Sequence, residues 1–232
     1  MDDRLQPAYA NGAGSSALSG ERNRVLRNTY WLLALSMVPT VLGAWAGMAL
    51  GINKMLTPGI GLIVFLVGAF GFMFAIEKNK NSAAGVPILL AFTFFMGVML
   101  SRMLAVVLGM GSGASLIMMA FAGTGAVFLG MATLSSVIKR DLGAMGKWLF
   151  IGMIMLLVAG IANIFIQSSA LMLTLSVLAI GIFSAFLLYD IKRIIDGGET
   201  NYISATLALY LDIFNVFQAL LALLGIFGGE RD

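Results

Sequence analysis

Residues 170–195 read ALMLTLSVLAIGIFSAFLLYDIKRII. No charged residue occurs in this stretch before Asp190. A helix rises 1.5 Å per residue, so about 20 apolar residues cross the ~30 Å hydrocarbon core of a bilayer. Six further blocks of the same kind can be drawn on either side of it, at roughly 28–50, 58–76, 86–109, 114–138, 147–166 and 202–227. Composition agrees. Of the 232 residues, 60% are hydrophobic and 11% are charged, against about a quarter charged in soluble domains. The expected fold class is therefore an all-α integral membrane protein with seven transmembrane helices.

The same composition narrows the chemistry. The chain has no cysteine and no histidine. Disulfide and thiolate chemistry are absent, and so are the commonest metal ligand and general base. The pattern calls for no cofactor and no nucleic acid. Residues 1–27 are polar and rich in Gly, Ser, Ala and Asn, and they read as a disordered cytoplasmic tail. Residues 28–229 form the seven-helix domain, whose first span acts as an uncleaved signal. Short turn-forming connections separate the blocks, among them Gly51-Ile52-Asn53, Thr57-Pro58-Gly59, Gly111-Ser112-Gly113 and Gln167-Ser168-Ser169. The last of these makes spans five and six a tight hairpin.

Basic residues alternate between loops. Arg4, Arg22, Arg24 and Arg27 share one side of a seven-span chain with Lys78, Lys80, Lys139, Arg140, Lys147, Lys192 and Arg193. The other side has Lys54 and Arg231. The positive-inside rule then places the N-terminus in the cytoplasm and the C-terminus outside. Small residues mark close helix approaches: Gly43, Gly47 and Gly51 on one face of span one, and Gly123 and Gly130 in span four.

Ionisable groups at membrane depth are costly, which makes them functional candidates. Asp212 lies about 15 Å into the last span. It falls on a stripe of small and polar residues at helical spacing, namely Asn201, Ser204, Ala208, Asp212, Asn215, Ala219 and Ala222, while Leu207, Leu211, Ile213, Phe214 and Leu221 lie opposite. Such a helix belongs in the interior, its stripe facing other helices or a water-filled crevice. Asp190 ends span six. Gly197-Gly198 suits the helix C-terminus and Thr200 or Asn201 the next N-cap, so the two aspartates can face each other across a hairpin. By residue counting their depths differ by about 7 Å. If they meet, they share a proton. Asn215 joins them as an oxygen donor. Glu77 and Arg102 are candidates for a gate or latch, although Arg102 can also simply snorkel outward.

The run from Tyr189 to Ile203, YDIKRIIDGGETNYI, resembles the signature region of the Bax inhibitor-1 family, as does Ala208–Phe217, ALYLDIFNVF. Arg24–Tyr30, Gly197–Tyr202 and Leu224–Phe227 are similar to its bacterial YccA branch. The likeness covers nearly all of the chain after residue 24. It implies a seven-helix fold with the last helix central, a place in the bacterial inner membrane, and no enzymatic activity. In the calcium-leak branch, aspartates matching Asp190 and Asp212 are proposed to gate a pH-sensitive leak. An arginine near the end of span two can latch onto them there, where this chain has Glu77. The YccA branch is linked to the membrane protease FtsH, whose activity it restrains.

Three functions follow as expectations. The first is a pH-sensitive cation leak, calcium being the likeliest ion, through a pathway of Asp190, Asp212 and Asn215. Calcium takes six to eight oxygens, so Asp190 and Asp212 would hold the metal only transiently. The second is a regulatory partner of FtsH, with residues 1–27 as the handle. The remote third is an intramembrane aspartyl protease, for which Tyr189-Asp190 supplies half a motif and Tyr210-Leu211-Asp212 lacks the glycines.

Overall fold

A computed structural model describes residues 6–55 and 58–229. All its regular structure is helical: α1 (Gln6–Ala49), a short α2 (Ile52–Met55), α3 (Pro58–Asn79), α4 (Gly85–Leu108), α5 (Gly113–Val137), α6 (Met145–Ile166), α7 (Ser169–Ile195) and α8 (Tyr202–Gly229). Seven are long and apolar enough to cross a membrane. Helices are the economical answer to a solvent without hydrogen-bond partners, because each satisfies its own backbone. The expected block boundaries stand within a few residues of these helices.

Two boundaries differ. α3 runs on through Glu77 and Lys78, so Lys78 sits on a helix end and not in a loop. α1 begins well before residue 28. Its last turns ahead of that point are no disordered tail, since Val25 is buried and Thr29 donates to the Val25 carbonyl at 2.8 Å. An apolar contact and a continuing ladder hold these turns helical. Arg4, Thr57 and Arg231, used in the sequence reading, lie outside the described residues, as do residues 1–5.

α8 is the axis of the bundle. From Tyr202 to Ile226 none of its residues is exposed. It packs against α1, α3, α4, α5 and α7. α6 instead rests on α7 and buries none of its residues. The α6–α7 turn is as tight as expected: Gln167 takes a left-handed conformation at φ 54°, and Ser168 caps α7 by accepting from the Leu171 amide at 3.2 Å.

The α1–α4 interface is the closest in the bundle. A β-carbon on Gly43 would stand 2.1 Å from the Phe94 carbonyl oxygen, and one on Gly97 only 2.0 Å from that of Thr40. Backbone meets backbone there, as in other small-residue helix pairs. Gly51, read as part of the same stripe, serves a different purpose: its φ of 69° turns the chain after α1. Of the α5 glycines, a β-carbon on Gly123 would meet Leu220 at 3.2 Å, whereas one on Gly130 would have nothing within 4 Å.

Candidate functional site

The α7–α8 turn fixes the site. Gly197, at φ 80°, donates to the Ile194 carbonyl at 3.1 Å, and Gly198 donates to that of Arg193 at 2.8 Å. This is the Schellman closure that a glycine pair permits. Asn201 then caps α8, its Oδ1 accepting from the amides of Ile203 at 2.9 Å and Ser204 at 3.1 Å. The turn brings α7 and α8 together as antiparallel neighbours.

Asp190 and Asp212 meet. Their carboxyl groups are near enough across the α7–α8 interface to interact directly. The 7 Å mismatch from residue counting disappears because a side chain leans toward the N-terminus of its own helix. Those N-termini lie at opposite ends of the bundle, so Asp190 reaches inward while Asp212 reaches back. Asp212 is buried, and its Oδ2 has no hydrogen-bond donor among the described residues. Two carboxyl groups can bond to each other only when a proton lies between them.

Beside the pair lies a cavity of about 300 Å³, lined by Glu77, Lys80, Asp190, Arg193, Glu199 and the α8 residues Ser204, Ala205 and Ala208. It lies at the end of the bundle that carries the α3–α4 and α7–α8 turns. Ser204 and Ala208 belong to the small, polar stripe of α8. Glu77 bonds to Lys80 and accepts from Ser204 Oγ at 3.2 Å, tying α3 to α8. The carboxylate holds the partly exposed Lys80 ammonium above its ordinary pKa, chiefly through that hydrogen bond. Arg193 lies within Coulombic reach of Asp190 and pairs with Glu199 at 3.4 Å. Asn201 Nδ2 donates to the Lys80 carbonyl at 3.1 Å and to Asn81 Oδ1 at 2.8 Å, which docks the α3–α4 turn onto α8.

The remaining candidates make other contacts. Asn215 turns its amide back to the Leu211 carbonyl at 2.8 Å. Arg102 lies toward the opposite end of the bundle, in a separate cavity of about 460 Å³. Glu77 and Arg102 therefore belong to different ends of the bundle. No cluster of three acids able to hold a metal ion occurs among the described residues. Sequence reasoning missed Lys80 and Glu199 as cavity residues. The i,i+3 spacing of Glu77 and Lys80 was the one signal available for the first.

The profile of the family described as inhibitor of apoptosis-promoting Bax1 matches residues 22–229. The chain belongs to the Bax inhibitor-1 family. A membrane protein of Vibrio cholerae is 40% identical over 206 residues, covering 89% of this chain and 91% of its own length. A protein of Neisseria meningitidis serogroup A is 38% identical over 212 residues, 90% of this chain and 93% of its own. A protein of Escherichia coli K12 named modulator of FtsH protease YccA is 39% identical over 203 residues, 88% of this chain and 90% of its own. The counterpart in a second Escherichia coli strain is named an inner membrane protein. This Bax inhibitor-1 member is thus a multi-pass membrane protein similar to the YccA proteins along nearly its whole length.

Proposed function

We infer that this chain is a pH-sensitive cation leak of the inner membrane, with calcium as its ion and the Asp190–Asp212 pair as its gate. One observation carries the reading: two neighbouring carboxyl groups, one of them buried with an unpartnered oxygen, beside a polar cavity at one end of the bundle. The excess of basic residues at this end supports a cytoplasmic placement for it and the N-terminus, with the end of α8 on the periplasmic side. With the proton in place the pair bridges α7 and α8. Once it is lost, two anions face each other in a poorly hydrated site and repel or draw in a cation. The pair offers too few oxygens to retain calcium, which suits a site that ions pass. No bond-making chemistry is assigned to any residue.

The test is calcium flux into liposomes holding the purified protein, from pH 6 to 8, beside Asp212→Asn. A leak that rises with pH, and loses that dependence in the variant, supports the gate. Flux no greater than that of empty liposomes at every pH refutes it.

A second reading is favoured by the similarity to the Escherichia coli modulator of FtsH and by the length of α1. A helix reaching beyond the membrane gives a protease partner something to hold. Co-purification of FtsH with this chain, lost when residues 1–19 are removed, is the expected result. Equal recovery with and without those residues refutes the handle.

A further inference from the structure

α1 does not stop at the membrane. Trp31 is 73% exposed, and a tryptophan near the end of a span marks the bilayer interface, yet the helix extends ahead of it through Arg22. These outer turns have two faces. Arg22, Val25 and Thr29 recur at three- and four-residue steps and share one of them, while Gly20, Arg24 and Arg27 share the other with Trp31 and are exposed. The first face is docked. A β-carbon on Gly197 would stand 2.8 Å from Arg22 Nε and 3.2 Å from its Cζ and Nη2, so the guanidinium lies against the α7–α8 turn. A cation is favoured there, at the C-terminal end of α7. One turn on, Val25 is buried in the same apolar cluster as Ile194 and Ile203, which stand on either side of that turn. One turn further, Thr206 Oγ1 of α8 donates to the Thr29 carbonyl at 3.3 Å.

Three contacts in a row thus hold the hairpin that carries the aspartates. Asp190 lies seven residues before Gly197, about 10 Å along α7 from the turn. Besides Asp212, the charged groups that share its surroundings are Glu77, Lys80, Arg193 and Glu199, and none of them is on α1. We propose that residues 22–29 of α1 are a clasp on the α7–α8 hairpin, and that a partner drawing the outer turns of α1 away from the bundle loosens the seat of Asp190 and Asp212. The clasp stands on these contacts alone, and its consequence for the pair rests on the gate reading above.

Hydrogen exchange of the full-length protein in lipid, read by peptide mass spectrometry, tests the clasp. Arg22→Ala should speed exchange in residues 194–199, where the Gly197 and Gly198 amides close the turn, by about two- to five-fold. Val25→Ala should act in the same direction with no change of charge. Arg24→Ala, which removes the same charge from the opposite face, should leave that exchange as it was, and residues 166–171 in the α6–α7 turn should not change in any of the three. The pH midpoint of the infrared band of a protonated carboxyl group should move in Arg22→Ala and Val25→Ala and stay in Arg24→Ala. Melting shows that each variant is folded, and Arg22→Ala, at an exposed position, decides the matter if Val25→Ala is not. Unchanged exchange at 194–199 in the clasp variants would overturn the proposal, and so would equal acceleration in Arg24→Ala or in the α6–α7 turn. Faster exchange with an unmoved midpoint would overturn the link to the pair. Absence of the band in the unsubstituted protein faults the gate reading instead, and exchange still decides the clasp.

Discussion

Consider Gly97→Ala. An ideal β-carbon there lies 2.0 Å from the Thr40 carbonyl oxygen, 2.8 Å from its carbon and 2.9 Å from the Ala44 nitrogen. All three neighbours are backbone, so no side chain can swing aside. Ordinary contact begins at 3.4 Å, and α1 and α4 must part locally by about 1.4 Å to reach it. Their interlock at Gly43 and Phe94 then opens too. Overpacking of this kind costs about 1–3 kcal/mol. The strain also falls on Thr40, whose hydroxyl bonds to that of Tyr210 at 2.9 Å. Gly130→Ala is the matched control, with nothing within 4 Å of its β-carbon, and it should gain up to about 1 kcal/mol from helix propensity. At a few degrees per kcal/mol, the two variants should melt on the order of 5–10 °C apart in the same detergent. If they melt together, the close approach of α1 and α4 is wrong.

Other consequences are smaller. Tyr210→Phe removes a hydroxyl that bonds to Thr40 at 2.9 Å and to the Thr93 carbonyl at 3.4 Å, and thermal melting should show a loss of about 0.5–1.5 kcal/mol. Asn201→Ala uncaps α8 at a cost of about 1 kcal/mol. It also undocks the α3–α4 turn, so hydrogen exchange at residues 79–82 should accelerate, and unchanged exchange would contradict the docking. Glu77 raises the pKa of Lys80. Its support for the ammonium is therefore full below the ordinary lysine pKa and lost as pH rises through the raised one. Acylation of Lys80 at mildly alkaline pH, followed by peptide mass spectrometry, should speed up in Glu77→Gln, and an unchanged rate would show that the pair does not persist in solution.

Much of this architecture is written in the chain because a bilayer leaves few options. Seven apolar blocks become seven helices, and the Asn201–Ala222 stripe singles out α8 as the interior one. The pairing of Asp190 with Asp212 was legible in kind. Their contact was not legible from residue counting, which ignores the lean of each side chain along its helix. Glu77–Ser204 and Asn201–Asn81 were hidden for another reason: they join residues more than a hundred positions apart, and no local periodicity encodes them. The turns of α1 just before residue 28 were misread because polar composition conceals single anchors such as Val25. Gly130 shows the converse, a small residue in a promising series that no neighbour approaches.

The central claim is that Asp190 and Asp212 hold one proton between them. Infrared spectroscopy of the protein in lipid, titrated with pH, reads this directly through the carbonyl stretch of a protonated carboxyl group. One such band should persist at neutral pH, shift in Asp190→Asn and in Asp212→Asn, and disappear over the pH range in which the leak opens. A spectrum with no protonated carboxyl at neutral pH, or one unaltered by both substitutions, would contradict the shared proton and with it the gate.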